Sequence, residues 1–189
     1  MQKKGHLLIA STIKPLFPKY HFWISLGSIF PDLLIHTYLR GHTYAAAADI
    51  TFARIEHLQA HGRLNRRSLF MLGYILHYVE DFFTFPHNPT FYGSLLDHPR
   101  YEMRQYSFLK ETAPALGSGE NPLCLTRQLM ELHETYLTKT PGLITDRKYI
   151  FEAAECVARY FSIELAANEA SARLAPNPLV SAFFALMNY

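Results

Sequence analysis

Sulfur is the scarcest chemistry in this chain. It has 189 residues but two cysteines, Cys124 and Cys156, in separate segments without a C-x-x-C spacing. A disulfide framework is therefore not expected, and reduced thiols fit a cytosolic protein. Charge is also thin: 18% of residues are charged and the formal net charge is +2. The one basic cluster, RLNRRS at 63–68, is too short to follow a nucleic-acid backbone and reads as a solvated turn between helices. No extended nucleic-acid surface is evident. No apolar run reaches the ~18 residues of an integral membrane segment. The opening MQKKGHLLIASTIKPLF places two lysines before an apolar stretch, but the stretch is short, opens on His6 and stops at Lys14-Pro15. It also lacks a small-residue cleavage site, so no signal peptide is expected and the location expected is the cytoplasm. Alternating strand patterns, internal repeats and low-complexity tracts are missing as well.

What the chain does have is apolar and aromatic mass, 49% and 14% of residues, enough to bury a real core. The apolar spacing is helical almost throughout. Short apolar stretches at 6–14 and 20–29 are split by the prolines of KPLFPK. Pro31 and Asp32 suit the first turn of a helix over 31–39, interrupted at Gly41. The alanine-rich 43–61 ends at Gly62 as a C-terminal cap, and Ser68 is placed to cap a helix over 69–83. FPHNPTFYG is a proline-pinned loop, and Asp97 is placed to cap a helix from His98. Helices over 123–138, 146–174 and 178–188 follow the loop at 112–122. The expected fold is all-α, a single domain over 1–189, built as a bundle of roughly seven to nine helices.

One segment combines greasiness with charge. LGYILHYVEDFFTFPHNP, residues 72–89, is apolar on nearly every helical face, yet holds His77, Glu80, Asp81 and His87. Such a helix is central rather than superficial. His77 and Asp81 are four residues apart and share one face. A buried carboxylate needs a compensating partner, and no lysine or arginine lies within 69–83 to provide one. A divalent metal would. His98 and Glu102 repeat the same spacing in the next helix, and His6, Asp32 and His42 lie upstream. Mixed imidazole and carboxylate donors suit zinc, and also manganese or iron, better than magnesium or calcium. Eight donors exceed one tetrahedral site and imply two or three ions with a shared carboxylate.

Duller readings stand beside this one. His77 and Asp81 alone would make a hydrogen-bonded buried pair. Glu80 fits either an acceptor for an imidazole N–H or a solvent-facing position. His36 competes with His42, and Asp32 is also a helix-initiating carboxylate. His57 and His61 read as the polar last turns of a helix, where positive charge complements the dipole. LHETYL at 132–137 lacks the second histidine of a zincin motif, leaving His133, like His21, at the surface or the core edge. Phe82 and Phe83 read as core. Phe85, Phe91 and Tyr92 read as pocket rim, placed to contact a quaternary ammonium headgroup or stack on a base.

Taken together, His6, GSIFPD (27–32), His42, HYVEDFFTFPHN (77–88) and HPRYE (98–102) resemble the zinc-dependent phospholipase C family. That family sits in a helical superfamily with secreted, zinc-dependent single-strand nucleases. The resemblance covers 6–102, and the C-terminal third adds no matching motif. It implies that His42, His77 and Asp81 hold one zinc and His87, His98 and Glu102 a second. Asp81 would also reach a third ion, shared with His6, and Asp32 would act beside the metal-bound water as base or additional ligand. Secreted members use a processed terminal amine at the third ion, and the absence of an expected cleavage here departs from that pattern. The implied activity is phospholipase C-type hydrolysis of a small phosphodiester or phospholipid. The alternatives are a nuclease or nucleotide phosphatase on the same site, and a non-catalytic module stabilised by zinc.

Overall fold

The computed structural model describes residues 1–34, 42–94, 96–115 and 123–174. Among the described residues there are seven α-helices and no strand: α1 (Lys3–Thr12), α2 (His21–Ile29), α3 (Tyr44–His61), α4 (Arg66–Phe82), α5 (Asp97–Thr112), α6 (Leu125–Leu137) and α7 (Leu143–Leu174). The fold is the all-α, single-domain bundle expected. Single 3-10 turns cover Lys14–Leu16, Pro31–Leu33 and Phe85–His87. Each carries a proline in its first turn, where the missing N–H costs nothing.

Helix α4 is the axis of the bundle. Twelve of its 17 residues are buried, including every one from Ile75 to Phe82. Helices α2, α3 and α7 pack around it, α6 packs on α7, and α1 bridges α2 and α5. The α2–α4 crossing is reciprocal between two glycines. A Cβ at Gly27 would collide with the Phe70 carbonyl, and one at Gly73 with the Ile24 carbonyl. Only hydrogen at both positions lets the backbones touch. From the other side, α7 offers Ile150, Ala153, Val157, Phe161 and Leu165, all essentially inaccessible to water. Their three- and four-residue spacing is one helical stripe, and each large side chain contributes about 1.5–3 kcal/mol on burial.

Several boundaries differ from expectation. Helix α4 starts before Ser68 because Asn65 is the cap: its Oδ1 accepts the Ser68 N–H at 3.0 Å. Asparagine caps as well as serine does. The Ser68 hydroxyl instead accepts the Arg63 N–H, which ties the basic turn to α4. Asp97 begins α5 but reaches back, accepting the Ser94 N–H and hydroxyl at 2.9 and 2.7 Å. Gly62 ends α3 in extended geometry rather than a left-handed one, with its N–H on Leu58 O. The described part of the helix expected over 31–39 is a 3-10 turn that ends at an extended Leu34. Its remainder, with His36 and Gly41, and the helix expected over 178–188 lie outside the described residues. Cys124 and Cys156 are both free thiols. Among the described residues no helix is long and apolar enough to cross a membrane.

Candidate metal centre

Helix α4 presents His77 and Asp81 toward a space closed by α1, the Pro31–Leu33 turn, the start of α3, the Phe85–His87 turn and α5. His77 is oriented from behind: its Nδ1–H donates to the Ser28 carbonyl at 2.8 Å. A carbonyl can only accept, so Nε2 carries the lone pair that faces the cluster. That nitrogen lies 3.1 Å from His42 Nδ1 and 3.5 Å from Asp81 Oδ2. His42, immediately before α3, also puts Nδ1 3.1 Å from Asp81 Oδ2. The glycine crossing of α2 and α4 brings Ser28 this close, so the fold's tightest backbone contact sets a donor's direction.

A second set assembles from the loop after α4 and from α5. His87 Nε2 is 3.1 Å from His98 Nε2 and 3.2 Å from Glu102 Oε1, and His98 Nε2 is 2.9 Å from Glu102 Oε1. His6 on α1 turns Nδ1 to Glu80 Oε2 at 2.6 Å, leaving Nε2 to face Asp81 Oδ1 at 3.6 Å. Asp32 Oδ1 approaches His77 Nε2 and His42 Nδ1 at 3.8 and 4.0 Å. Three groups result, each with donor atoms within 4.8 Å of one another: His6/Asp32/His77, His42/His77/Asp81 and His87/His98/Glu102. The eight side chains singled out from the sequence thus lie together. Four of them, Asp32, His42, His87 and His98, line a cleft of about 280 Å³ together with Met1, Thr43 and Pro86.

Two observations test whether these residues suit a cation. His6 Nε2, His42 Nε2 and His87 Nδ1 are buried and make no hydrogen bond, a cost that native interiors rarely accept. In two places imidazole nitrogens also face each other at 3.1 Å, where an ion between lone pairs relieves what one proton satisfies only in part. Among the described residues, no lysine or arginine side chain is ion-paired with Asp32, Glu80, Asp81 or Glu102. The donor chemistry, imidazole with carboxylate, fits zinc.

Protonation follows the geometry. Burial holds His6 and His87 below the usual imidazole range and takes His77 down to about 3, so all three are neutral donors. Burial also works against the Asp81 charge, but His87, the terminal amine and His6 override it and keep that carboxyl well below its usual range. Burial opposes Glu102 ionisation too, and the hydrogen bonds from His87 and His98 pull its pKa down regardless. Asp32 goes the other way: burial, then the nearby Asp81 charge, raise it to about 6. Glu80 rises for the same two reasons.

Other residues at the centre were not legible beforehand. The Met1 amine lies 2.5 Å from Asp81 Oδ1, 3.1 Å from Glu102 Oε1 and 3.4 Å from His87 Nε2. Burial disfavours its charge, but Asp81 and Glu102 together lift its pKa to about 10. Glu80 faces inward and is fully buried, which resolves the choice left open for it. His133 is buried, not at the surface or the core edge, with its ring stacked 3.7 Å from Tyr44 and Nε2 2.9 Å from Asn88 Oδ1. The aromatic rim needs correction. Phe85 is buried against Tyr101 and Phe91 and lies outside the cleft lining. Phe91 meets the outer edge of His98 at 6.1 Å between centroids, and Tyr92 projects into solvent. A ring two residues before His87, in a 3-10 turn, points away from the histidine's side.

An all-helical bundle with clustered histidines and carboxylates along its central helix defines a class of metal-binding helical proteins. The zinc dependent phospholipase C family model matches residues 5–168, most of the chain. The chain belongs to that family. The match extends well past the motifs at 6–102 and takes in α6 and most of α7. Membership supports a metal-dependent, phospholipase-like function with zinc as the metal. No curated protein and no solved structure matches the chain.

Proposed function

We propose that the protein is a zinc-dependent phosphoesterase that hydrolyses a small phosphodiester or phospholipid by phospholipase C-type attack of water on phosphorus. The observation that supports this reading best is the clustering of eight donors at the floor and wall of one cleft, with no lysine or arginine side chain paired to their carboxylates among the described residues. His42, His77 and Asp81 would hold one ion and His87, His98 and Glu102 a second, with His6 and Asp81 placed to share a third. Manganese and iron are the alternative occupants such donors accept. Bound zinc supplies Lewis acidity toward the phosphate oxygens and the attacking water. Three protein donors on each of the first two ions would leave a position for substrate or water, unlike the closed shell of structural zinc.

The chain's own residues do the rest. Asp32 lies at the cleft, and its pKa of about 6 suits a base that orients the water and takes its proton near neutrality. Ser28 and Glu80 fix the rings of His77 and His6. Phe91, beside His98, is where a headgroup would rest on the outside of the cleft. Zinc-stripped protein should lose phosphodiesterase activity and recover it on zinc addition. Asp32→Asn should lower kcat by about 10²–10⁴-fold while the other donors keep their zinc. A choline phospholipid and single-stranded nucleic acid, offered side by side, separate phospholipase from nuclease chemistry. Turnover of neither, with zinc bound, overturns the proposal.

A further inference from the structure

One buried carboxylate lies apart from the cleft. Asp146, in the first turn of α7, is inaccessible to water. Its Oδ2 accepts the Phe85 N–H at 3.0 Å, the Tyr101 hydroxyl at 2.9 Å and the Gln105 side-chain N–H at 2.8 Å. Its Oδ1 accepts the Tyr136 hydroxyl at 2.9 Å. Four donors from the turn after α4, from α5 and from α6 therefore end on a single acid of α7. None of the eight metal-site residues hydrogen-bonds to it.

The positions of those donors carry the argument. Phe85 begins the turn that ends at His87, and Tyr101 and Gln105 flank Glu102 on α5. His87 must hold its 3.1 and 3.2 Å approaches to His98 and Glu102 across a connection that contains Pro89, Gly93 and Ser94. Pro89 pins one point of that connection and Asp97 holds Ser94 to the start of α5, but neither ties the His87 turn to the helix. One carboxylate oxygen receives a donor from the His87 turn and two from α5, so it sets the distance between them. Asn88 adds a second brace: its Nδ2 donates to the Phe82 and Thr84 carbonyls, and its Oδ1 accepts from His133. By contrast, His77 and Asp81 need no such brace, because one helix carries both.

We infer that Asp146 is a positioning residue for the His87/His98/Glu102 donor set, holding the turn and α5 in register so that this set binds its ion independently of the His42/His77/Asp81 set. The inference rests on the metal reading above. Outer partners of metal ligands are worth about 10–100-fold in affinity, and Asp146 acts one step further back through backbone placement.

The test is zinc titration against a competing chelator, with wild-type protein, Asp146→Ala, Asp146→Asn and His98→Ala. Asp146→Ala should weaken one zinc by about tenfold or more and leave the other within about twofold. Its loss should not add to that of His98→Ala, since both act on one donor set. Asp146→Asn keeps an oxygen for the Phe85, Tyr101 and Gln105 donors. It should weaken the same zinc by a smaller factor, and it decides the matter if the alanine variant does not fold. Equal weakening of both ions in parallel with a falling melting temperature would mean a general structural role and overturns the inference. So does a loss fully additive with His98→Ala, or an Asp146→Asn protein indistinguishable from wild type. Wild-type protein that takes up no zinc overturns the metal reading itself, and the inference with it.

Discussion

The two main donor sets reach similar geometry by different means. In the first, His77 and Asp81 sit one turn apart on α4, and His42 joins them from the start of α3. In the second, His87 stands in a 3-10 turn while His98 and Glu102 sit on α5, so the set spans a loop. The first set owes its rigidity to helix geometry and to the α2–α4 glycine crossing. The second owes it to hydrogen bonds from α6 and α7. Two donor sets can thus be equally compact yet fail for different reasons, one by backbone collision and the other by loss of a distant polar brace.

Asp81 is the place where the comparison can be broken outright. It faces His42 and His77 with one oxygen, and the Met1 amine and His6 with the other. Asp81→Ala should remove at least one zinc, measured by elemental analysis. Activity should fall about 10³-fold, or about 4 kcal/mol, in line with the several kcal/mol that Lewis-acid stabilisation supplies. Retained zinc and activity would mean that the shared carboxylate has been misassigned.

A smaller effect is expected at Glu80. Glu80→Gln keeps size and leaves an oxygen for the His6 Nδ1–H, but an amide oxygen is a weaker acceptor than a carboxyl group that can ionise against that ring. One zinc should bind about 10–100-fold more weakly, with the His87/His98/Glu102 set unaffected in the chelator titration. Weakening of that second set instead would break the division between the two donor sets.

The smallest effect concerns pH in zinc-free protein. His77 has its pKa lowered by burial to about 3, against 6.5 when unfolded. The unfolded chain therefore takes up this proton first, so the His77 contribution is intact above the unfolded value and is lost as pH falls from 6.5 toward 3. Asp32 and Asp146, both raised to about 6 by burial, act with the opposite sign. Comparing wild type with His77→Gln isolates the histidine from them. The melting-temperature advantage of wild type should shrink as pH falls from about 7.5 to about 5. An advantage that grows would contradict a neutral, buried His77.

The legibility of the site followed the range of each interaction. His77, Asp81, His98 and Glu102 could be read because their spacing matches a helical turn and α4 is greasy on every side. Glu80 was ambiguous on the same helix, since burial all round removes the contrast between faces. Its pairing with His6 depends on how α1 lies across α4. Phe85 was misplaced because a 3-10 turn orients side chains differently from a loop read only by composition. Asp146 had no local signal at all: an acid in the first turn of a helix looks like ordinary dipole compensation. His133 was judged by a missing zincin partner, whereas its role is a hydrogen bond to Asn88 from a different helix.

By itself the sequence determined most of the helices, the apolar axis and the paired donors one turn apart, because these arise from backbone period and from burial of apolar mass near each residue. Tertiary structure alone decided that His6, Asp32 and His42 meet that axis, that the Met1 amine lies between Asp81 and Glu102, and that Asp146 gathers three other elements. Those choices depend on the packing of helices tens of residues apart. Close backbone approach at Gly27 and Gly73 and the demand of each buried polar group for a partner select one arrangement, and neither can be read from local spacing.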